Sequence, residues 1–287
     1  MTRTRRSLLI DRAFYYVGLG ATLFGLVLLA FFIGDILYWG LGRLNWDFVT
    51  GLPSRIPEKA GIYTALMGSL WIVVLSALIA LPVGIAGGIY LEEYGAHNRW
   101  TRLLETNINN LAGIPSIIYG LLGLELFVHT MALGHSVLSA SLTLGLLIQP
   151  IIITTTRQAI RGVPRSLREA SLALGATRWQ TTIRLVVPAS LGGILTGVIL
   201  ALSRAIGESA PLLAIGVMAY VPFAPTTPMD EYSALPVQIY NWISRPQKGF
   251  EIAAAAGIIL LLLVSFLLNG LAIYYRNRWQ RQMRKGM

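Results

Sequence analysis

Long apolar stretches alternate with short polar segments along this chain. Each apolar stretch is about 20 to 27 residues long, which is the length that an α-helix needs to cross the hydrocarbon core of a bilayer with some tilt. The polar segments between them carry most of the charged residues. The pattern predicts an all-α polytopic membrane protein with six transmembrane helices, at about residues 13–38, 65–91, 107–131, 135–157, 190–216 and 252–275.

The composition agrees with a membrane protein and excludes several soluble classes. Of the 287 residues, 55% are hydrophobic and only 13% are charged, whereas a globular domain carries about 25% charged residues. The net charge of +10 would suggest nucleic-acid binding in a soluble chain, but here the basic residues lie at the ends of the predicted spans. Because the chain has no cysteine, disulfides and thiolate chemistry are excluded.

The distribution of lysine and arginine predicts how the chain crosses the membrane. Seventeen of the 23 basic residues lie in the N-terminal segment, after spans two and four, and in the C-terminal tail, and five lie on the opposite side. Because basic residues concentrate in cytoplasmic segments, we expect both termini and residues 158–189 in the cytoplasm. The N-terminal apolar run is too long for a signal peptide, so we interpret it as a retained first span.

Residues 158–189, which we call the elbow, have the pattern of two short helices joined by a glycine. Ser166 and Glu169 have the spacing of a capping box, which predicts a helix that begins near Leu167. Gly175 is placed to end this helix, because glycine adopts the left-handed conformation found after many helices.

The second half of the elbow predicts another helix. It should begin near Thr177 and stop before Pro188, since proline cannot continue a helix without losing a hydrogen bond. Read from spacing alone, the elbow is either an ordinary basic loop with a helix cap or a structured helix-turn-helix at the membrane surface.

An ion pair is predicted inside the fifth span. Arg204 and Glu208 lie near the middle of residues 190–216, and a separation of four residues places them on one face of a helix. An unpaired arginine at the bilayer centre costs about 2.5 to 3.5 kcal/mol on insertion scales, so such residues face a bundle interior or a water-filled path. The pair is therefore either part of a transport path or an internal salt bridge that only holds helices together.

Four stretches of the chain resemble known ABC-importer permeases. Glu169-Ala170-Ser171, followed by Gly175 and Pro188, resembles the EAA loop of these permeases, with Ser171 where alanine is usual. Three further stretches resemble PstA-type permeases of phosphate-specific importers: residues 113–120 (GIPSIIYG), 204–213 (RAIGESAPLL) and 235–246 (LPVQIYNWISRP).

The resemblance implies the type I ABC importer permease fold and a division of the chain into three parts. Residues 1–63 would hold the cytoplasmic N-terminus, the first transmembrane helix and an outer segment. Residues 64–275 would form the permease domain, with the elbow as its coupling segment, and residues 276–287 a basic cytoplasmic tail. Arg204 and Glu208 would lie on the substrate pathway.

The family also implies partners in the inner membrane of a prokaryote. These are a second homologous permease subunit, a cytoplasmic ATPase dimer and an extracytoplasmic phosphate-binding protein, all within or beside membrane lipid, and no nucleic acid is among them. ATP and Mg²⁺ would bind the ATPase, and no cofactor would bind this chain. The residues implied in coupling to the ATPase are Glu169, Ala170, Ser171, Leu174, Gly175, Ala176 and Pro188.

Motifs for independent enzyme chemistry are missing from the sequence. It contains no G-x-x-x-x-G-K-[ST], H-E-x-x-H or G-x-S-x-G pattern, so we expect a transporter subunit whose ATP is hydrolysed by another chain. Two alternatives stay open. One is a permease for another oxyanion such as phosphonate, sulfate or molybdate, and the other is a self-sufficient anion channel or secondary carrier.

Overall fold

The computed structural model describes residues 2–95, 98–217 and 220–285, and most of these are helical. The helices are α1 (Thr2–Gly40), α2 (Trp46–Thr50), α3 (Tyr63–Ile89), α4 (Arg99–Ala112), α5 (Ser116–Gly123), α6 (Val137–Arg161), α7 (Arg165–Ala173), α8 (Arg178–Thr181), α9 (Val187–Gly207), α10 (Ala210–Ile215), α11 (Leu235–Ile243) and α12 (Lys248–Lys285). Turns of π-helix extend α3 over Tyr90–Tyr94, extend α5 over Leu124–Thr130, and join α8 to α9 over Thr182–Val186.

The predicted all-α polytopic fold is confirmed. Five segments of the described chain are long and apolar enough to cross a membrane alone: Asp11–Arg43, Tyr63–Tyr94, Val137–Arg161, Arg178–Gly207 and Lys248–Arg278. A sixth crossing results when the bent pair of Arg99–Ala112 and Ser116–Thr130 counts as one span. The tail predicted at residues 276–287 continues α12 to Lys285, and its last two residues lie outside the described part of the chain.

The third span is not the continuous helix predicted at residues 107–131. α4 and the helix that follows it meet at an angle of 103°. Pro115 has extended backbone angles (φ −54°, ψ 134°) and directly precedes the first residue of α5. Because proline has no N–H and disfavours helical angles at the residue before it, α4 ends at Ala112 and a new helix starts beyond Pro115.

Helices α3 and α6 pack side by side through the middle of the bundle, and small residues bring them close. Ala80 of α3 and Ile148 of α6 are almost completely buried in this contact. A Cβ atom added to Gly84 would lie 2.6 Å from Cγ2 of Ile152, well inside van der Waals contact. The glycine is therefore required for the two helices to approach as closely as they do.

Replacing Gly84 by valine is expected to destabilise the bundle by about 1 to 3 kcal/mol, the usual cost of overpacking a core. Ile152 is fully buried, and buried side chains are close-packed and cannot easily move aside. Gly270→Val in α12 is the matched control, because nothing lies within 4 Å of a Cβ at that position. Thermal unfolding of the purified chain in detergent measures the effect, and equal midpoints for the two variants would contradict the prediction.

The end of the bundle opposite the elbow is closed by a cluster around α11. Trp242 of α11 is buried against Phe48, with ring centroids 5.8 Å apart, and Phe250 of α12 joins the same cluster. Ser69 accepts a hydrogen bond from the backbone N–H of Leu235 at 2.8 Å and so fixes the start of α11 on α3. These contacts make α11 part of the packed core.

A loop before α11 is ordered by Asp230. Its carboxylate accepts hydrogen bonds from the hydroxyl of Thr227 and from the backbone N–H groups of Thr226 and Thr227, and these bonds hold its pKa well below the ordinary value. The Asp230 carbonyl in turn accepts from the N–H of Val137, the first residue of α6. Because the pKa is lowered, this stabilisation is present above the ordinary pKa of 3.8 and is lost as the pH falls below it.

The first span packs on the rest of the chain mainly through its last turn. None of the most apolar window of Asp11–Arg43 is buried. At its end, a Cβ atom on Gly40 would lie 2.7 Å from the carbonyl carbon of Ala255 and from Cδ1 of Ile259, so α1 and α12 touch closely there. The remaining apolar surface of α1 needs lipid or another chain to cover it.

Candidate functional site

Gly175 ends the first helix of the elbow, as predicted. Its φ of +86° is in the left-handed region. Its N–H donates to the carbonyl of Leu172 at 2.9 Å, and the N–H of Ala176 donates to the carbonyl of Ser171 at 3.2 Å. These two bonds form a Schellman motif, which satisfies the last carbonyls of α7 and fixes the direction of the chain after it.

The predicted capping box at Ser166 and Glu169 is wrong. α7 begins at Arg165, with Pro164 in the capping position and no side-chain cap. Proline presets the backbone before the first turn, so Ser166 already lies inside that turn, where its hydroxyl cannot act as the cap.

A capping box exists in the second half of the elbow. The N–H of Gln180 donates to the hydroxyl of Thr177 at 3.2 Å, and the Gln180 side chain accepts from the N–H of Thr177 at 2.9 Å. This reciprocal pair starts α8 at Arg178, close to the predicted beginning at Thr177.

The predicted end of the second elbow helix before Pro188 is also wrong. The chain continues from α8 through the π-helical turn Thr182–Val186 into α9, and Pro188 lies in the first turn of α9. The N–H of Val187 bonds the carbonyl of Thr182, five residues back. This wider turn accommodates the proline, whose ring would clash with a carbonyl in a regular α-helix. The second arm of the elbow and the fifth span are therefore one continuous helix, Arg178–Gly207.

The tip of the elbow exposes an apolar side chain. Leu174 is 89% exposed, and Glu169, Ala170 and Gly175 beside it are also exposed. The hydroxyls of Ser171 and Thr181 lie 2.9 Å apart and join the two arms behind this tip. The other predicted coupling residues, Ser171, Ala176 and Pro188, are partly buried, so only part of the predicted set faces outward.

A network of ion pairs surrounds the base of the elbow, and the sequence analysis missed it. Arg161 and Arg157 of α6 contact Glu92 at 2.8 and 3.3 Å, and Arg157 also contacts Glu105 of α4 at 2.7 Å. Arg168 of α7 contacts Glu93 at 2.8 Å. Glu92 and Glu93 lie at the predicted inner boundary of span two and Glu105 at that of span three, which was an available signal. Their partners, however, are 52 to 75 positions away along the chain.

The predicted pair of Arg204 and Glu208 forms, but not in the middle of a helix. Nε of Arg204 lies 3.1 Å from Oε1 of Glu208. α9 ends at Gly207, and Glu208 has extended angles (φ −76°, ψ 117°). The helix predicted over residues 190–216 is thus broken, because Pro211 has no N–H for the carbonyl of Gly207 and its ring would clash with that carbonyl.

The breaks in the third and fifth spans lie next to each other. A Cβ atom on Gly120 of α5 would lie 2.7 Å from Cα of Pro211 in α10, so these two helices touch at their backbones. Tyr119 donates a hydrogen bond to the carbonyl of Leu111 across the bend at 2.8 Å, and its ring packs in the same buried cluster as Ala205, the residue after Arg204. Two of the three stretches that resemble phosphate permeases therefore meet at Arg204, while the third forms α11 and packs in the cluster at the opposite end.

The Arg204 side chain is 42% exposed and that of Glu208 is 17% exposed. Arg204 thus reaches the surface of this chain at a helix break, while Glu208 is largely shielded. The break leaves backbone N–H and C=O groups without regular helical partners. A charged pair in this position can contact a ligand or a second chain.

The chain has the fold of type I ABC importer permeases. A chain of a bacterial alginate ABC transporter, solved in complex with an alginate-bound periplasmic protein, superposes with a TM-score of 0.70 at 17% identity and covers 95% of this chain and 96% of its own length. A chain of the methionine ABC transporter MetNI, in an inward-facing conformation, gives a TM-score of 0.63 at 18% identity over 76% of this chain and 97% of its own.

Sequence similarity then identifies the family. Residues 82–281 match the binding-protein-dependent transport system inner membrane component family, and the chain belongs to this family. It is 34% identical over 249 residues to the phosphate transport system permease protein PstA of Haemophilus influenzae, with 87% of each chain covered. It is 33% identical over 266 residues to the probable ABC transporter permease protein YqgI of Bacillus subtilis, covering 89% of this chain and 90% of that one.

Proposed function

We propose that this chain is the permease subunit of an ATP-driven phosphate importer and forms half of its translocation pathway. Several relatives that align over most of their length are phosphate transport permeases. The observation that carries the proposal is the half-exposed Arg204 at the point where the breaks of spans three and five meet. A positive group at such a break suits a passing oxyanion.

Arg204 would contact the phosphate during passage. A guanidinium keeps its charge at any depth and presents several N–H donors in one plane to an oxyanion. Nε of Arg204 already donates to the Glu208 carboxylate. The two terminal NH₂ groups of the Arg204 guanidinium are therefore the groups that would bind the anion. The carboxylate would also weaken the attraction, because conduction requires a site that binds the ion and then releases it.

The elbow would dock on a separate ATPase that binds ATP and Mg²⁺. Its tip carries the exposed Leu174, and an exposed apolar side chain at a helix end is suited to a protein contact. α8, the π-helical turn and α9 connect the elbow to Arg204 without a loop. Closure of the ATPase would therefore move the pathway end of span five as a rigid body. In this arrangement the elbow and both termini lie in the cytoplasm of a prokaryotic cell.

A second, homologous permease would complete the pathway. One chain leaves the Arg204 pair half-exposed and the first span uncovered, so both surfaces are available to a partner or to lipid. An extracytoplasmic phosphate-binding protein would deliver the ion to the opposite end, where Asp230 orders the loop before α11.

Reconstituted transport tests this function. The assay uses liposomes that contain this chain, the second permease, the ATPase and the phosphate-binding protein. We expect them to accumulate labelled phosphate only when ATP is present on the side of the membrane where the ATPase is bound. Uptake by the chain alone would support a channel or secondary carrier instead. Competition that is stronger with sulfate, phosphonate or molybdate than with phosphate would support another oxyanion.

A further inference from the structure

We infer that the pair of Arg168 and Glu93 is a joint that transmits movement of the elbow to span two. This inference rests on the proposed role of the elbow in coupling. Arg168 belongs to α7, the first helix of the elbow, and Glu93 belongs to the π-helical turn that ends span two. The two residues are positioning residues, because neither lies near the Arg204 site.

Arg168 holds three elements together with one guanidinium. Nε and Nη2 donate to Oε1 of Glu93 at 3.1 and 2.8 Å. Nη1 donates to the carbonyl of Val163 at 2.6 Å, and Nη2 also donates to the carbonyl of Ile160 at 2.9 Å. Ile160 lies in the last turn of α6, where the helix dipole favours a positive charge, and its carbonyl also accepts from the N–H of Val163 at 3.0 Å. Val163 lies in the short connection between α6 and α7.

The pair is largely shielded from solvent. The side chains of Arg168 and Glu93 are only 19% and 13% exposed, and the carbonyl acceptors lie beside the buried cluster that contains Ile160, Val163 and Val186. Two nitrogens of the Arg168 guanidinium donate to the single oxygen Oε1 of Glu93, and two backbone carbonyls accept from the same group. These four charge-assisted bonds give the shielded pair a fixed geometry. It is therefore able to transmit a displacement, which a mobile surface pair cannot do.

Adjacent carboxylates at the end of span two have different partners. Glu92 binds Arg157 and Arg161 of α6, whereas Glu93 binds Arg168 of α7. Helix α7 follows α6 after three residues. In the described part of the chain, span two contacts the elbow through side chains. Besides Glu93, Ile89 packs against the cluster of Ile160, Val163 and Val186, and Tyr94 has a weak contact to Thr182 at 3.4 Å. Loss of the Glu93 contact would therefore leave span two attached to span four and remove its charged contact with α7, so that only apolar packing and the weak Tyr94 contact would remain between span two and the elbow.

Charge-neutral variants of the joint are expected to uncouple transport from ATP hydrolysis. In the assembled complex, Arg168→Gln and Glu93→Gln should each lower the phosphate moved per ATP by about tenfold, in the range found for residues that couple distant sites, while ATP hydrolysis continues. The double variant should be no worse than the more impaired single variant, because both changes remove one interaction. Arg168→Lys, which keeps the charge, should recover part of the loss.

Arg165→Gln is the matched control, since Arg165 is an exposed arginine of the same helix and the described structure shows no ion pair for it. It should leave the ratio of phosphate to ATP within about twofold of the wild type, as surface substitutions usually do. Wild-type ratios for both Arg168→Gln and Glu93→Gln would overturn the inference.

Distances between spin labels test the joint independently of substrate. The chain has no cysteine, so labels attach only at introduced Ser166→Cys in α7 and Tyr90→Cys in span two, both exposed positions. With the joint intact, the distance should stay narrow and unchanged when ATP is trapped on the ATPase, because α7 and span two move together. Arg168→Gln should broaden or shift it. An unchanged distribution in Arg168→Gln would overturn the joint, whereas absence of phosphate uptake by the wild type would overturn only the proposed substrate.

Discussion

Replacing Gly175 by valine is expected to lower phosphate uptake by the assembled importer at least about tenfold, although the chain still reaches the membrane. The φ of +86° at this position is strained for any L-residue and most of all for a β-branched one. To relieve that strain, the backbone would give up the two hydrogen bonds of the Schellman motif. These bonds fix the exposed Leu174 and the partly buried Ala176 at the tip of the elbow. The tip would then no longer fit the ATPase.

Gly134→Val is the matched control for this prediction. Gly134 also has a positive φ, +64°, and like Gly175 it has nothing within 4 Å of an added Cβ atom, but it lies at the opposite end of the bundle. It should lose a similar amount of local stability while ATP hydrolysis and transport stay coupled. Gly175→Asn should keep more activity than valine, because asparagine tolerates left-handed angles. Normal uptake by Gly175→Val would refute the coupling role of the tip.

Replacing Arg204 by glutamine is expected to lower phosphate uptake about tenfold to hundredfold. A hydrogen bond to a charged group contributes about 1.5 to 3 kcal/mol, and the change removes the positive charge at the meeting point of the two helix breaks. Uptake of labelled phosphate, with immunoblots that confirm equal abundance in the membrane, measures the effect. Arg276→Gln is the control, because Arg276 contacts Thr196 of the same span, and Thr196 lies near the middle of α9, about half of the helix away from the break.

A double variant separates a pathway role from a purely structural ion pair. Removing one member of a partly shielded pair leaves the other charge without its partner, whereas replacing both members is often nearly neutral for stability. If the pair only holds helices together, Arg204→Gln with Glu208→Gln should transport normally. If Arg204 contacts the ion, the double variant should remain as inactive as Arg204→Gln, and this is the result that we expect. Recovery of uptake in the double variant would assign the pair to structure.

Features that depend on local spacing were predicted from the sequence. The length of the apolar stretches predicted the transmembrane spans, because each helix satisfies its own backbone hydrogen bonds within the membrane. Gly175 was predicted to end a helix because its left-handed conformation is a property of the residue itself. The contact between Arg204 and Glu208 was predicted from their separation of four residues, and it survives although the helix ends between them.

Some local predictions failed because a neighbouring residue competed. Pro164 starts α7 before Ser166 can cap it. Pro188 is accommodated by a π-helical turn, and the prolines at positions 115 and 211 break spans that hydropathy alone shows as continuous. Hydropathy averages over a window of residues and contains no information on the hydrogen bond that a single proline removes.

The sequence by itself thus determined the class of fold, the spans and the presence of charged residues within them. Only the tertiary structure decided that two helix breaks meet beside Arg204, and that Arg168 binds Glu93 and not Glu92. The partners in the ion-pair network are separated by 52 to 75 positions. Their pairing depends on which helices pack together and at what angle, and the close approach of small residues such as Gly84 to neighbouring helices sets that packing.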